Sequence, residues 1–224
     1  MYCKHCGKEI TDDAKFCNEC GAPVLMESSN EITITPKKKT IKPLYIALIL
    51  LVVIAVIIAA VIGRKNQARE EYIDTLTQFR STSLTGAAMA ESVCVLTHDV
   101  WYDSIHKNYR TQTAPYTRSN GTYNDDFNDS LRALYSSDEI IEKIASININ
   151  KVSVDDLYKQ LQNPTVEFEK CFDVAEELYD SYIALVNLAL SPTGSFNSYT
   201  EDYKTADDGY LDAYNKLDII IPDK

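Results

Sequence analysis

Four cysteines stand at Cys3, Cys6, Cys17 and Cys20, as two Cys-x-x-Cys pairs separated by the ten residues Gly7 to Phe16. Each pair turns back on itself and offers two thiolates from a tight knuckle, so together they suit one tetrahedral Zn2+. Gly7 and Gly21 each follow the second cysteine of a pair, where a glycine admits positive φ and lets backbone N–H groups approach sulfur. The other chemistry open to such pairs is a pair of disulfides or a thioredoxin-like redox centre. A redox Cys-x-x-Cys opens a helix in a βαβ setting, and no such setting surrounds these residues.

A segment this short buries too little apolar surface to fold unaided, so metal binding supplies its folding energy. Ile10, Ala14, Phe16 and Val24 are the residues available for its core. Four protein thiolates complete the tetrahedron, which leaves His5 as a solvent-facing knuckle residue and leaves no open position for a catalytic water. The expected role of the metal is structural. Lys4, Lys8 and Lys15 are offset by Glu9, Asp12, Asp13 and Glu19, a balance that suits protein contact better than nucleic acid.

"YCKHCGKEITDDAKFCNECGAPV" resembles the short N-terminal zinc ribbon found on many bacterial membrane proteins. By that resemblance the metal ligands are Cys3, Cys6, Cys17 and Cys20.

The elements around this clip fall into distinct environments. The 224 residues carry a formal charge of −11, yet residues 1–63 hold 7 basic and 6 acidic side chains while residues 64–224 hold 15 and 27. So acidic a C-terminal part repels phosphate backbones, which argues against DNA or RNA as its partner. Residues 25–43, "LMESSNEITITPKKKTIKP", sustain no periodicity and read as a flexible linker, with "ITIT" too isolated to extend as a strand.

Leu44 to Ile62 gives 19 residues without charge, glycine or proline. At about 1.5 Å per residue this matches a hydrocarbon core of about 30 Å. A cleaved signal peptide would place its apolar stretch nearer the N-terminus, so the segment reads as a retained transmembrane helix. Basic residues are balanced across it, with Lys37, Lys38, Lys39 and Lys42 before and Arg64, Lys65, Arg69 and Arg80 after. The positive-inside rule is therefore tied. Persistence of zinc thiolates in a reducing compartment breaks the tie, placing the N-terminus in the cytoplasm and residues 63–224 outside the cell membrane.

Beyond the span, Ile73, Leu76, Ser83, Ala87, Ala90, Cys94, Trp101 and Ile105 recur at helical spacing within a stretch, 67–110, that has one glycine and no proline. The span is expected to run on into this helix past Gly63. "TQTAPYTRSNGTYN" reads as a loop. Phe127, Leu131, Leu134, Ile141 and Ile144 then predict a second helix ending near "NINKVSVDD", with Ser153 or Asp155 capping a third that Asn163-Pro164 breaks or kinks. Past the proline, Phe168, Phe172, Ala175, Tyr179, Tyr182, Val186 and Ala189 form a seam of steps of three and four. "SPTGS" reads as a turn, and Phe196, Tyr199, Tyr203, Ala206, Tyr210, Ala213, Leu217 and Ile220 repeat the rhythm. The expected fold is mainly α: a zinc ribbon over 1–24, a linker, one transmembrane helix over 44–62, and an extracytoplasmic antiparallel four-helix bundle over 63–224. Tyrosines on the seams read as core residues whose hydroxyls reach the edge.

Cys94 and Cys171 are open to two readings, a disulfide if they sit at similar heights on parallel helices, or buried free thiols. His98, Asp99, Trp101 and His106 are the one stretch inviting a catalytic reading, but no serine or cysteine motif accompanies them. No phosphate-binding loop, dinucleotide fingerprint or zinc-protease helix occurs in the sequence.

"VWYDSIHKNY", "YNDDFNDSLRALYSS", "SPTGSF" and "YLDAYNKL" also resemble the extracytoplasmic region of zinc-ribbon membrane proteins of Gram-positive bacteria, a family with no assigned activity. The expected function is a membrane-anchored binding or adaptor protein without catalysis, with protein partners on the ribbon, on the helical region or on both. The alternatives are a sensor passing a ligand state through the span to the ribbon, and an envelope scaffold.

Overall fold

The structure, a computed structural model, describes residues 1–24 and 43–223. The predicted linker therefore lies, apart from Pro43, outside the described residues. The chain divides into two compact units, Met1–Ile54 and Ala55–Lys224.

In the first unit, backbone geometry repeats with a spacing of fourteen residues. Cys3 N–H donates to Lys8 O (2.8 Å) and Gly7 N–H to Cys3 O (2.9 Å), and Cys17 N–H to Ala22 O (3.0 Å) and Gly21 N–H to Cys17 O (2.8 Å) reproduce them. Antiparallel bridges Tyr2 to Glu9 and Phe16 to Pro23 close the two loops. Its small core is Cys3, Ile10 and Cys17 with Val24 packed against them. Phe16, expected in that core, is 61% exposed, because its alternation with Cys17 across the bridge turns the ring away from the sulfurs.

The rest is mainly helical. Helix α1 (Pro43–His106) is followed by α2 (Ala114–Thr117), the two-residue strands β1 (Arg118–Ser119) and β2 (Thr122–Tyr123), α3 (Phe127–Tyr135), α4 (Asp138–Leu161), a 3-10 turn (Val166–Phe168), α5 (Glu169–Leu190) and α6 (Phe196–Ile220). As expected, α1 passes through Gly63 without a break. The apolar side chains described before Gly63 are exposed, from Tyr45 to Ile62, while Ile73, Leu76, Phe79, Ala87, Ala90, Val93 and Cys94 are buried. One helix is thus apolar on all sides in its first part and amphipathic afterwards, which is the pattern of a helix that changes solvent.

Named pairs give the directions of the neighbouring helices. Along α1, Tyr72 Oη donates to Leu161 O (2.9 Å), Thr82 O accepts from Asn150 Nδ2 (3.1 Å) and Thr97 meets Tyr135 Oη (2.9 Å), so α3 and α4 run opposite to α1. Phe168 stacks on Tyr72 (4.5 Å) and Leu185 O accepts from Cys94 Sγ (3.8 Å), so α5 runs with α1. Arg80 pairs with Asp218 (2.7 Å), Ser83 meets Tyr210 Oη (3.1 Å) and Tyr199 Oη donates to Cys94 O (3.5 Å), so α6 returns. The four long helices, α3 and the 3-10 turn share one core that includes Leu134, Ile140, Ile147, Leu161, Phe168, Tyr182 and Leu217.

Three expectations are corrected. The second and third helices do not divide near "NINKVSVDD"; the break is at Ser136-Ser137, where Ser137 caps α4 and Asp138 and Glu139 occupy its first turn, a favourable charge for a helix N-terminus. Ser153 and Asp155 lie inside α4, where Ser153 Oγ back-bonds to Ile149 O (3.4 Å) and Asp155 pairs with Lys151 (2.8 Å). Local polarity there is overridden by packing. The stretch expected as loop holds α2 and the hairpin of β1 and β2, paired Arg118 to Tyr123 and Ser119 to Thr122. Ile105, placed on the core stripe, is 43% exposed, because the buried face of the last turns of α1 runs through Val100, Trp101, Asp103 and Ser104 instead. The break at Asn163-Pro164 is where expected: α4 stops at Leu161 and Asn163 takes φ 65°.

Candidate metal centre

The four sulfurs of Cys3, Cys6, Cys17 and Cys20 lie within 4.8 Å of one another. Across the two knuckles, Cys3 Sγ is 3.7 Å from Cys20 Sγ and Cys6 Sγ is 3.6 Å from Cys17 Sγ. A tetrahedron with metal–sulfur bonds of about 2.3 Å has edges of about 3.8 Å, so the donor set fits one structural Zn2+. Its backbone supports that charge. Gly7 and Gly21 hold φ of 74° and 73°, the left-handed conformation that glycine enters without steric cost. Backbone N–H groups of Cys20 and Glu19 hold the Cys17 thiol down to about 6, and those of His5 and Cys6 lower Cys3. Cys6 and Cys20 also accept from backbone N–H groups, of Lys8 and Ala22, but the neighbouring thiols and burial raise them. Thiolates are the ligating form, so the backbone dipoles favour the metal-ready state at the two buried cysteines.

In each knuckle the first cysteine is buried and the second exposed. His5 sits exposed on the first turn, and among the described residues the close-set donor group is made of the four cysteines alone.

The residues of the second stretch do not assemble into a reactive group. His98 Nδ1 lies 3.3 Å from Asp99 Oδ1, but that carboxylate is engaged by Arg110 Nη1 at 2.6 Å. The His98 ring packs on Phe196 (5.1 Å) and Tyr102 (6.4 Å). His106 packs on Tyr102 (4.3 Å), and the buried Trp101 on Phe127 and Tyr199 (each 5.6 Å). Cys94, one turn before His98, has its thiol pushed up to about 11 by burial, so it carries no nucleophilic thiolate at neutral pH.

Cys94 and Cys171 are free and buried. The disulfide reading fails on height. Cys94 meets α5 at Leu185, about 21 Å along that helix from Cys171 at about 1.5 Å per residue, whereas Cys171 donates to Ile220 O at 3.4 Å.

Two polar constellations go beyond what the sequence leads one to expect. Asp103 is fully buried, accepting from Thr113 Oγ1 (2.6 Å) and Asn108 Nδ2 (2.8 Å) with Arg110 Nε at 3.4 Å. It ties the end of α1 to the segment before α2. Tyr182 Oη donates to Asn150 Oδ1 (2.8 Å) beside Gly86, where a Cβ would lie 1.9 Å from that oxygen. Nothing in the spacing of these residues announces either contact, because their partners belong to different elements.

No curated protein and no solved structure matches the chain. Residues 2–24 match the zinc-ribbon domain family, and this, with the four sulfurs set for one metal ion, identifies the N-terminal segment as a zinc ribbon.

Proposed function

We infer that the protein is a membrane-anchored adaptor: a cytoplasmic zinc ribbon, one span, and an antiparallel four-helix bundle outside the membrane that receives a partner. The observation that carries this reading is α1, in which a run of exposed apolar side chains ending at Ile62 continues directly into a core stripe beginning at Ile73. A soluble protein would leave that run bare to water, whereas an 18-residue window of mean hydropathy 2.9 suits lipid. The four thiolates close the metal's coordination, so the ribbon holds a shape for contact and performs no reaction. The reducing cytoplasm suits those thiolates, which supports this orientation.

A sensor is the second reading, favoured by the unbroken helix at Gly63, since displacement of a rigid helix is a route between compartments. Reporter fusions at the two ends, active only in the cytoplasm or only outside, test the first reading: the N-terminal fusion is expected to report cytoplasm and the C-terminal one the exterior. Two fusions reporting the same side would overturn it. Turnover by the purified helical region on envelope or peptide substrates would refute the adaptor role, and Gly63→Pro separates adaptor from sensor by abolishing only a transmitted response.

A further inference from the structure

The outward crest of α4 is unlike the rest of the acidic region. Ile141, Ile149 and Val152 are 52, 71 and 60% exposed, and Ala145 completes the row. They recur at steps of four, four and three, opposite the buried Ile140, Ile147, Val154 and Leu161, so they form one stripe about 17 Å long. Among the exposed residues of α4 between 141 and 153, Glu142 is the single charge, in a part of the chain with 27 acidic and 15 basic side chains. The stripe is bounded by charge at both ends, by Glu139 paired with Lys143 (2.9 Å) and by Asp156 paired with Lys159 (3.0 Å). Asn150, inserted between Thr82 O and Tyr182 Oη, fixes the rotation of α4 that keeps the crest facing out.

We propose that this crest is the contact by which two copies of the chain associate side by side in the membrane. Lipid does not cover it. Asn150 meets α1 at Thr82, about 30 Å along the helix from Ile62 at about 1.5 Å per residue, well beyond a headgroup layer of about 5–8 Å. A second copy does suit it. Two molecules this acidic repel over most of their surface, and the crest is where close approach brings the least like charge together. The anchor also sets every copy upright at the same height, so a two-fold axis along the membrane normal lays one α4 crest parallel to its twin, residue against the same residue. Four apolar side chains make a contact smaller than the about 800 Å² per partner of a free-standing complex. Confinement by the anchor supplies the missing affinity as effective concentration.

The proposal rests on the membrane reading above, and the test keeps the two apart. Full-length Ile149→Cys in native membranes, given a mild oxidant, is expected to form a disulfide-linked dimer about tenfold more abundant than that of Leu211→Cys, a position 47% exposed on α6. Wild type measures any linkage through the native thiols. Chain lost from the alkali-washed membrane fraction overturns the anchor and this proposal together. Chain retained there, with no excess of dimer in the Ile149→Cys variant or with its introduced thiol linked to a different protein, overturns this proposal alone. Independently, Ile149→Lys, on an exposed position that leaves the core intact, lowers the dimer association constant about tenfold in single-molecule photobleaching of bilayers; an unchanged dimer fraction refutes the crest.

Discussion

Tyr182 Oη donates to Asn150 Oδ1 at 2.8 Å, and both side chains occupy the space that Gly86 leaves by having none. Three helices meet there through one amide, because Asn150 Nδ2 also donates to Thr82 O of α1 (3.1 Å). Gly86→Ala would set a methyl 1.9 Å from Asn150 Oδ1 and 2.7 Å from Tyr182 Oη. The substitution is expected to destabilise the helical region by about 1–3 kcal/mol despite the better helix propensity of alanine. Thermal unfolding followed by circular dichroism checks it, and an unchanged or raised midpoint would show that the amide is not fixed there.

Zinc removal should act on one core alone. The ribbon core of Cys3, Ile10 and Cys17 and the helical core built on Leu76, Leu134 and Tyr182 are separate clusters. A strong chelator, or Cys17→Ser, is therefore expected to unfold residues 1–24 while the helical signal and its melting midpoint stay put. One zinc per chain by elemental analysis, and a tetrahedral tetrathiolate spectrum on cobalt substitution, complete the check.

Alkali should unfold the helical region by way of its tyrosines. Burial pushes the hydroxyls of Tyr72 and Tyr135 up to about 12 from 10.0, and those of Tyr182 and Tyr210 rise as well. The neutral form is held in the folded state, so this stability is fully present below pH 10 and drains away as pH rises from 10 through 12. Tyrosinate absorbance and helical signal should then change together in that window. Normal titration of every tyrosine near 10 with the fold intact would contradict the burial.

The two thiols of the helical region should stay silent in the native protein. Cys94 is held near 11 by burial and Cys171 is also raised, so both are expected to react with thiol reagents only on unfolding. Mass spectrometry should find them reduced whichever side of the membrane they face. A Cys94–Cys171 disulfide in the isolated protein would require α5 to sit about four turns from its observed register.

Much of this is legible in the sequence, for identifiable reasons. The metal site can be read because its ligands are local: two knuckles, each closed by a glycine at positive φ. The seams of α5 and α6 can be read because tyrosine, leucine and alanine recur there every three or four residues, and the helices end at a serine-rich turn and shortly before a proline. The boundary at Ser136-Ser137 escapes a reading by hydrophobic periodicity although its signal is present, a serine cap followed by two acidic residues; the polar run 148–156 competes with it as a helix end. That run remains helical because Asn150 finds partners on two other helices. Such satisfaction by distant elements leaves no trace in local composition, and the buried Asp103 is legible no better.

Helix α1 runs through Gly63 without a break. Apart from its own stretch of helix, no atom of the described residues lies within 4 Å of where a Cβ on Gly63 would be, and the helix on either side is geared to it like teeth on a shaft. Inserting one residue there would turn the apolar stretch by about 100° against the helical region, while inserting seven would restore the phase to within about 20°. Each insertion leaves both parts chemically unaltered and changes only their angular setting.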